Sequence, residues 1–422
     1  MLKKILNHSF WLLIGNSIGR LAMFLTSIFA ARILPQEVFG QFTTVRSTIS
    51  MIEGILSGAL MSTATKQVAE TIHHDQNKLF LLLCSLFFIN VMIAIGIILF
   101  LVFFSEWIVN TFFIASSEMV IAFYIGSILL LTTTLSSLTQ SILIGFEEFK
   151  KMAYIGIAVS TLAIPLIFVL IYYYGLNGAI IGVAIYYLFD FIFKFAFLYS
   201  IVQDKKMSFP FSHLLDESKR IISFSFPLFL SIGVNSFAFW YARVIAINDA
   251  KGFTHIAIFD ASFQWFSIIM LIVGATTSIA LSMLSKMQAS GNTQEQKSII
   301  AINLAINLGI ASFLAIIFSL FSYEIMSIYG KDYAVHSNVL VILSFVTILL
   351  TISSLLNKVI LVKGNVWMIF FNTFISSLAL LGSITFFNDG HAESLAYSFL
   401  AFYGVNALMY AFYVIRLNKE LV

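Results

Sequence analysis

Apolar runs recur along this 422-residue chain at intervals of roughly 30 to 35 residues, and the polar breaks between them are too short to fold on their own. A hydrocarbon core about 30 Å thick takes about 20 helical residues to cross, and twelve runs reach that length. They cover approximately 10–33, 41–63, 79–104, 119–143, 153–174, 177–200, 221–245, 255–283, 298–322, 337–362, 366–386 and 392–415. This pattern predicts an all-α polytopic membrane protein. Composition agrees: 60% hydrophobic and 10% charged residues, with a mean hydropathy of +0.98, leave no water-soluble fold of this length.

The breaks alternate in charge. Lys3, Lys4, Lys66, Lys78, Lys150, Lys151, Lys205, Lys206, Lys219, Arg220, Lys286, Lys297, Lys363, Arg416 and Lys419 fall on one side. The opposite loops hold only Arg32, Lys251 and Lys331, with acidic Glu106, Glu118, Asp389 and Glu393. Cationic loops resist translocation, so both termini are expected in the cytoplasm. Met1 to Lys4 ahead of an apolar run resembles a signal peptide. That run is too long, contains Arg20 and leads straight into another span, so it is expected to be retained.

The most polar stretch, 204–220, reads as a cytoplasmic linker between two six-helix lobes, 1–203 and 221–422. Ser136, Ser137, Leu138, Thr139 and Gln140 recur as Ser353, Ser354, Leu355, Leu356 and Asn357, 217 residues later. Glu37 to Phe42 matches Thr254 to Phe259 at the same offset, and Lys66 matches Lys286 at nearly that offset. Each half has an even number of helices, so the copies share one orientation. They are expected to be related by a pseudo-twofold axis along the membrane normal, with a substrate path between the lobes.

Trp11 and Asn16 in the first run, Ala31, Arg32, Ile33, Leu34 and Pro35 at its exit, and Glu37, Val38, Phe39, Gly40 and Gln41 beyond it resemble the polysaccharide-transporter branch of the multidrug/oligosaccharidyl-lipid/polysaccharide (MOP) exporter superfamily. Gln140 through Gly145, Phe146, Glu147 and Glu148 to Tyr154 resembles that family's connection between its fourth and fifth helices. The likeness is nearest to O-antigen flippases. It implies a MATE/MOP-like fold, a lipid-linked sugar as substrate, no cofactor, and a cationic cavity built partly from the first two helices. The turn at Pro35 also has a plain structural account. Proline stops a helix, Gly40 permits a bend, and Glu37 suits the next helix N-terminus.

Charges inside the runs are the candidate chemistry, because such groups persist in a membrane where they line water, pair or bind something. Arg20 lies midway along the first run, with Asn16 at i−4 and Ser27 at i+7. In the second run, Thr43, Arg46, Ser50, Glu53 and Ser57 make another stripe at helical spacing. Guanidinium forks fit phosphate, so Arg20 and Arg46 are the leading headgroup contacts; the alternative is an ion pair with Glu53 that ties the two helices together. Glu53 either neutralises an arginine or carries a proton during transport.

In the second half, Asp260, Gln264 and Ser267 form a stripe, and Asn235 and Arg243 share a helix. Asn235, Arg243 and Lys358 join Asn16, Arg20 and Arg46 as candidate substrate contacts, and Asp260 joins Glu53 as a candidate coupling acid. Asp190 and Lys194, spaced i, i+4, are expected to neutralise each other. Pro165 is expected to kink its helix. The dense aromatics Phe224, Phe226, Phe229, Phe237, Phe239, Trp240 and Tyr241 are expected to pack against helices and lipid rather than stack on sugar.

No phosphate-cradling loop, zinc spacing or nucleophile elbow is present, so neither catalysis nor a metal is expected. His73 and His74 read as a solvated pair. The single cysteine, Cys84, excludes an intramolecular disulfide. Phenylalanine-dominated aromatics without a basic stripe argue against nucleic acid. The expectation is a flippase for undecaprenyl-pyrophosphate-linked O-antigen units in the bacterial inner membrane, working beside membrane lipids, a glycan polymerase and a chain-length regulator. Its rivals are a drug, cation or lipid II exporter of the same superfamily and, less well matched, a membrane glycan polymerase or ligase, enzymes that resemble one another in a long external loop with catalytic arginines, whereas the external loops here are short.

Overall fold

The computed structural model describes residues 2–72, 76–113, 117–203, 214–247, 252–290, 293–362, 366–387 and 391–419. Of the residues singled out above, the side chains of Asn16, Ser57, Phe224 and Phe226 lie outside the described residues. So do His73, His74, the charges of 204–213, Lys251, Lys286, Lys297, Lys363, Asp389 and the charged residues near the two termini.

Helices make up nearly all of the described chain. They are α1 (Leu2–Ile33), α2 (Gln36–Thr71), α3 (Gln76–Phe112), α4 (Ser117–Gly145), α5 (Phe149–Gln203), α6 (Leu214–Ile247), α7 (Gly252–Ser290), α8 (Thr293–Leu320), the short α9 (Ser322–Ser327) and α10 (Lys331–Ala334), α11 (Asn338–Val362), α12 (Val366–Phe387) and α13 (Ala392–Lys419). Among the described residues α3, α4, α5, α7, α8, α11, α12 and α13 are long and apolar enough to cross a membrane; Ile232–Ile247 of α6 is a shorter apolar stretch. Large apolar side chains such as Phe103, Leu408 and Phe386 stand exposed, Phe386 by 88%. Water would penalise such a surface, whereas lipid accepts it.

Two breaks shape the first half. Pro35, with φ −52° and ψ 147°, separates α1 from α2, and Glu37 lies in the first turn of α2. Gly40 is not the bend. It is buried within α2, and its carbonyl accepts bonds from the Thr43 and Thr44 hydroxyls at 3.1 and 2.8 Å. The second break is Gly175, whose φ of 54° and ψ of −127° interrupt the 55-residue α5. Unbroken, α5 would be roughly 80 Å long, more than twice a hydrocarbon core. Its two rods fold back on each other instead. A Cβ on Gly182 would lie 3.2 Å from the Ile167 Cα, and one on Gly178 would strike the Leu170 carbonyl oxygen at 1.9 Å. The dihedrals stay helical at Pro165, so the turn between these rods belongs to the glycine.

The chain forms two compact units, Met1–Ser236 and Phe237–Val422, which part within α6. In the first unit, Leu60, Ala64 and Val68 of α2, Leu79, Leu82, Leu83, Leu86 and Ile89 of α3, Leu138, Ile142 and Leu143 of α4, Met152 and Leu198 of α5, and Ile221 of α6 make one apolar cluster. Lipid offers helices no hydrophobic incentive to associate, so close van der Waals approach does more of this work. Gly145 shows it: a Cβ there would sit 2.8 Å from the Val68 Cβ and 3.0 Å from the Thr65 carbonyl oxygen. The Thr65 hydroxyl meanwhile donates to the Ser141 carbonyl at 2.9 Å. α4 then ends in a Schellman motif, with Glu148 N–H donating to Leu143 O, Glu147 N–H to Ile144 O, and Glu147 at φ 59°.

The second unit packs α7, α8, α11, α12 and α13 with the end of α6. Phe239, Phe259, Phe263, Phe399 and Phe402 interlock edge to face and in stacked pairs, with centroids 4.6 to 5.8 Å apart. A neutral polar knot joins α12 to α13. Asn372 Nδ2 donates to the Asn406 carbonyl at 3.2 Å, and Ser376 bridges the two asparagine side chains at 3.3 Å each.

Candidate functional site

Most of the candidate charges of the first unit converge on α1, α2, α4 and the second rod of α5. Adjacent serines of α4 hold two different carboxylates. Ser137 Oγ donates to Glu53 Oε1 of α2 at 2.7 Å, and Ser136 Oγ donates to Asp190 of α5. Neighbours on a helix point about 100° apart, so α4 addresses both partner helices at one level. Asp190 is also paired with Lys194, as expected, and Lys194 Nζ donates to Gln140 Oε1 at 2.8 Å. Both members of the pair are buried. An isolated buried charge is costly, but here each has an opposite charge and a neutral partner from α4.

Arg20 and Arg46 make no ion pair or hydrogen bond among the described residues. Glu53 is engaged by Ser137 instead, so the arginine–glutamate tie expected as an alternative is not formed. Arg20 is exposed and Arg46 half-buried. Tyr187 of α5 lies within electrostatic reach of Arg20, and also of Arg46, Glu53 and Asp190. Its ring packs edge-on against Tyr186 at 5.4 Å, and the Tyr186 hydroxyl lies 3.1 Å from where a Cβ of Gly19 would be. The lack of a side chain beside Arg20 therefore lets α1 approach the tyrosine pair. Ser27, expected on the same stripe as Arg20, is wholly buried, so that stripe does not have one environment.

In the second unit, Arg243 and Asp260, expected separately as a substrate contact and a coupling acid, meet as one two-pronged pair. Arg243 reaches Asp260 with contacts of 2.8 and 3.2 Å, and both are largely buried. The guanidinium also lies over the rings of Phe259 and Phe263, 5.5 and 5.7 Å from their centroids. Lys358 of α11 is half-buried without an ionic partner among the described residues, next to Asn357, whose Nδ2 donates to the Tyr410 hydroxyl at 3.0 Å. Asn235 is half-buried near the end of the first unit. Among the described residues no three His, Cys, Asp or Glu side chains gather as metal ligands.

Sequence reasoning missed Tyr187 and the task of Ser136, Ser137 and Gln140. The serine motif was visible, but as a repeat marker; spacing alone does not tell which helix faces it. Tyr187 stands three residues before Asp190, one turn away on the same face, and that was the available signal.

Solved transporters share this fold. An inward-facing multidrug resistance MATE family transporter of the MOP superfamily superposes with a TM-score of 0.79 at 14% identity, over 97% of this chain and 99% of that one. The lipid II flippase MurJ, in an inward closed conformation, gives 0.74 at 18% identity, over 96% and 87%. A MOP superfamily transporter from Pyrococcus furiosus, whose binding pocket is described as reversed in polarity, gives 0.69 at 16% identity, over 96% and 93%. At such identities the likeness speaks for the fold alone. No curated protein sequence matches the chain. Residues 5–288 match the family described as polysaccharide biosynthesis protein, and with a match over most of its length, this chain belongs to that family as a multi-pass membrane protein with the MOP superfamily fold.

Proposed function

We propose that this chain is a flippase that moves an undecaprenyl-pyrophosphate-linked oligosaccharide, an O-antigen repeat unit, across the bacterial inner membrane by alternating access. The sign of the uncommitted charge carries the reading. Of the acids deep in the runs, Asp190 and Asp260 each face a paired cation and Glu53 accepts a bond from Ser137, whereas Arg20, Arg46 and Lys358 have no ionic partner among the described residues. Unpaired cations at membrane depth favour an anion, and two guanidinium forks fit a pyrophosphate. The polyprenyl tail stays in lipid, since extracting it would cost about 0.8 kcal/mol per methylene.

Asn16, Asn235 and Lys358 are assigned as further substrate contacts, and Arg243 as a contact once released from Asp260. Glu53 and Asp260 are the coupling acids. α1, α2 and α6, with α5 crossing twice, bring the crossings to twelve, arranged as six-helix lobes over 1–203 and 221–422 with both termini cytoplasmic. No catalytic step is assigned. A glycan polymerase and a chain-length regulator are the expected partners. A cation exporter on the same fold would need an open carboxylate; among the described residues deep in the runs, Glu53 is held by Ser137, and three cations have no ionic partner. The reversed pocket polarity named for the Pyrococcus furiosus transporter supports the idea that charge sign separates functions on this scaffold.

Arg20→Ala and Arg46→Ala are each expected to abolish surface glycan while the protein stays in the membrane, as read by glycan staining beside an immunoblot. Lysine at either site should restore part of the activity, because charge survives without the fork. Full glycan display by both alanine variants would overturn the headgroup assignment.

A further inference from the structure

Four polar side chains of the first unit, Arg20, Arg46, Glu53 and Tyr187, occupy positions whose counterparts 217 residues later are Phe237, Phe263, Met270 and Gly404. The second unit builds its own helix packing with apolar or absent side chains at those places, so packing does not demand a polar set there. Tyr187 is the member that no sequence motif assigns. A tyrosine in an apolar environment normally finds a partner for its hydroxyl. The Tyr187 hydroxyl makes no hydrogen bond among the described residues, although the side chain lies within electrostatic reach of both unpaired arginines and of Glu53.

Its ring is nevertheless held in place. Tyr186 packs edge-on against it and is itself seated over Gly19, while Asp190, three residues on, is fixed to α4 through Ser136. The ring of Tyr187 is thus packed against Tyr186, which meets α1 at Gly19, the neighbour of Arg20. Guanidinium groups supply charge and follow the ligand; a phenol on a fixed ring sets a point in space and accepts only a group that brings an acceptor to it.

We propose that the Tyr187 hydroxyl donates a hydrogen bond directly to a phosphoryl oxygen of the anionic lipid headgroup and thereby sets how deeply that headgroup sits between Arg20 and Arg46. This rests on the headgroup reading given above. A hydrogen bond to a charged group contributes enough for its loss to weaken binding roughly tenfold or more. Phenylalanine keeps the ring and its packing, so it removes the donor alone.

The test is binding of undecaprenyl pyrophosphate to the full-length protein in nanodiscs, by native mass spectrometry, with undecaprenol as the phosphate-free control. Tyr187→Phe is expected to weaken the pyrophosphate lipid about tenfold and to leave undecaprenol unchanged, while Arg20→Ala weakens the pyrophosphate lipid further. Unchanged pyrophosphate binding in Tyr187→Phe alongside a loss in Arg20→Ala would overturn the tyrosine's role and leave the headgroup reading standing. No loss in either would overturn both. Equal weakening of undecaprenol would make Tyr187 a packing residue. A monofluorinated tyrosine at position 187, of nearly the same volume and a stronger donor, should tighten pyrophosphate binding. Unaltered affinity there, even if the phenylalanine variant fails to fold, would equally sink the proposal.

Discussion

In α4 the segment Ser136 to Gln140 faces a buried ion pair, whereas in α11 its repeat, Ser353 to Asn357, faces a phenol. Gln140 receives Lys194 and Ser136 holds Asp190; Asn357 bonds Tyr410, and Ser353 turns back to its own helix at the Leu349 carbonyl. The counterparts of Asp190 and Lys194 at the repeat offset are Ala407 and Ala411. The second unit puts its ion pair elsewhere, at Arg243 and Asp260, and the first unit has Thr26 and Thr43 at the matching places, each bonded to its own helix. One helical framework thus tolerates charge or neutrality at the same junctions. What the framework requires is that a buried charge be answered, because hydrocarbon does not answer it. Arg20 and Arg46, which make no ion pair or hydrogen bond among the described residues, are both in the first unit.

The contrast is broken most forcefully at Lys194. Lys194→Ala leaves Asp190 buried without its cation and should destabilise the protein by about 3–5 kcal/mol, while Asp190→Leu with Lys194→Met should come close to wild type. Unfolding in a denaturant series in mixed micelles reads both. A double variant as unstable as the single one would mean that the first unit, unlike the second, depends on charge at this junction. Gly145→Ala comes next: its Cβ would meet Val68 and the Thr65 carbonyl, which is backbone and has little room to yield. A loss of about 1–3 kcal/mol is expected in the same assay. A change within error would show that α2 and α4 have slack there.

Glu147→Gly should act in the other direction. A non-glycine residue at φ 59° costs about 1–2 kcal/mol, so glycine at this Schellman position should stabilise by up to about 1 kcal/mol after its own unfolded-state entropy is set against it. The smallest effect belongs to the neutral side of the comparison. Tyr410→Phe removes the Asn357 contact and is expected to cost about 0.6 kcal/mol, the average for interhelical hydrogen bonds in membranes. A loss near that of Lys194→Ala would erase the distinction between the two junctions.

Much of this architecture was legible along the chain. Apolar runs announced the long helices, and the break expected between 174 and 177 coincides with Gly175. Asp190 and Lys194 were readable as a pair because helical spacing alone brings i and i+4 together. Gly40 misled: a glycine suggests a bend, but here it is buried inside α2 and its carbonyl accepts bonds from two threonine hydroxyls. Arg243 and Asp260 were readable only as separate charges, since they are 17 residues apart on different helices and nothing local indicates that they meet.

Run length and residue order alone specify a helical membrane protein with a duplicated pattern and cations inside its apolar runs, because bilayer thickness and helical rise translate run length directly into structure. Tertiary structure alone decided which charges are satisfied. Pairing across helices depends on how each rod is rotated against its neighbours. In lipid that rotation is set by small residues in close contact and by buried polar partners such as Gly145 against Val68 and Ser137 against Glu53, not by any periodicity that one helix displays.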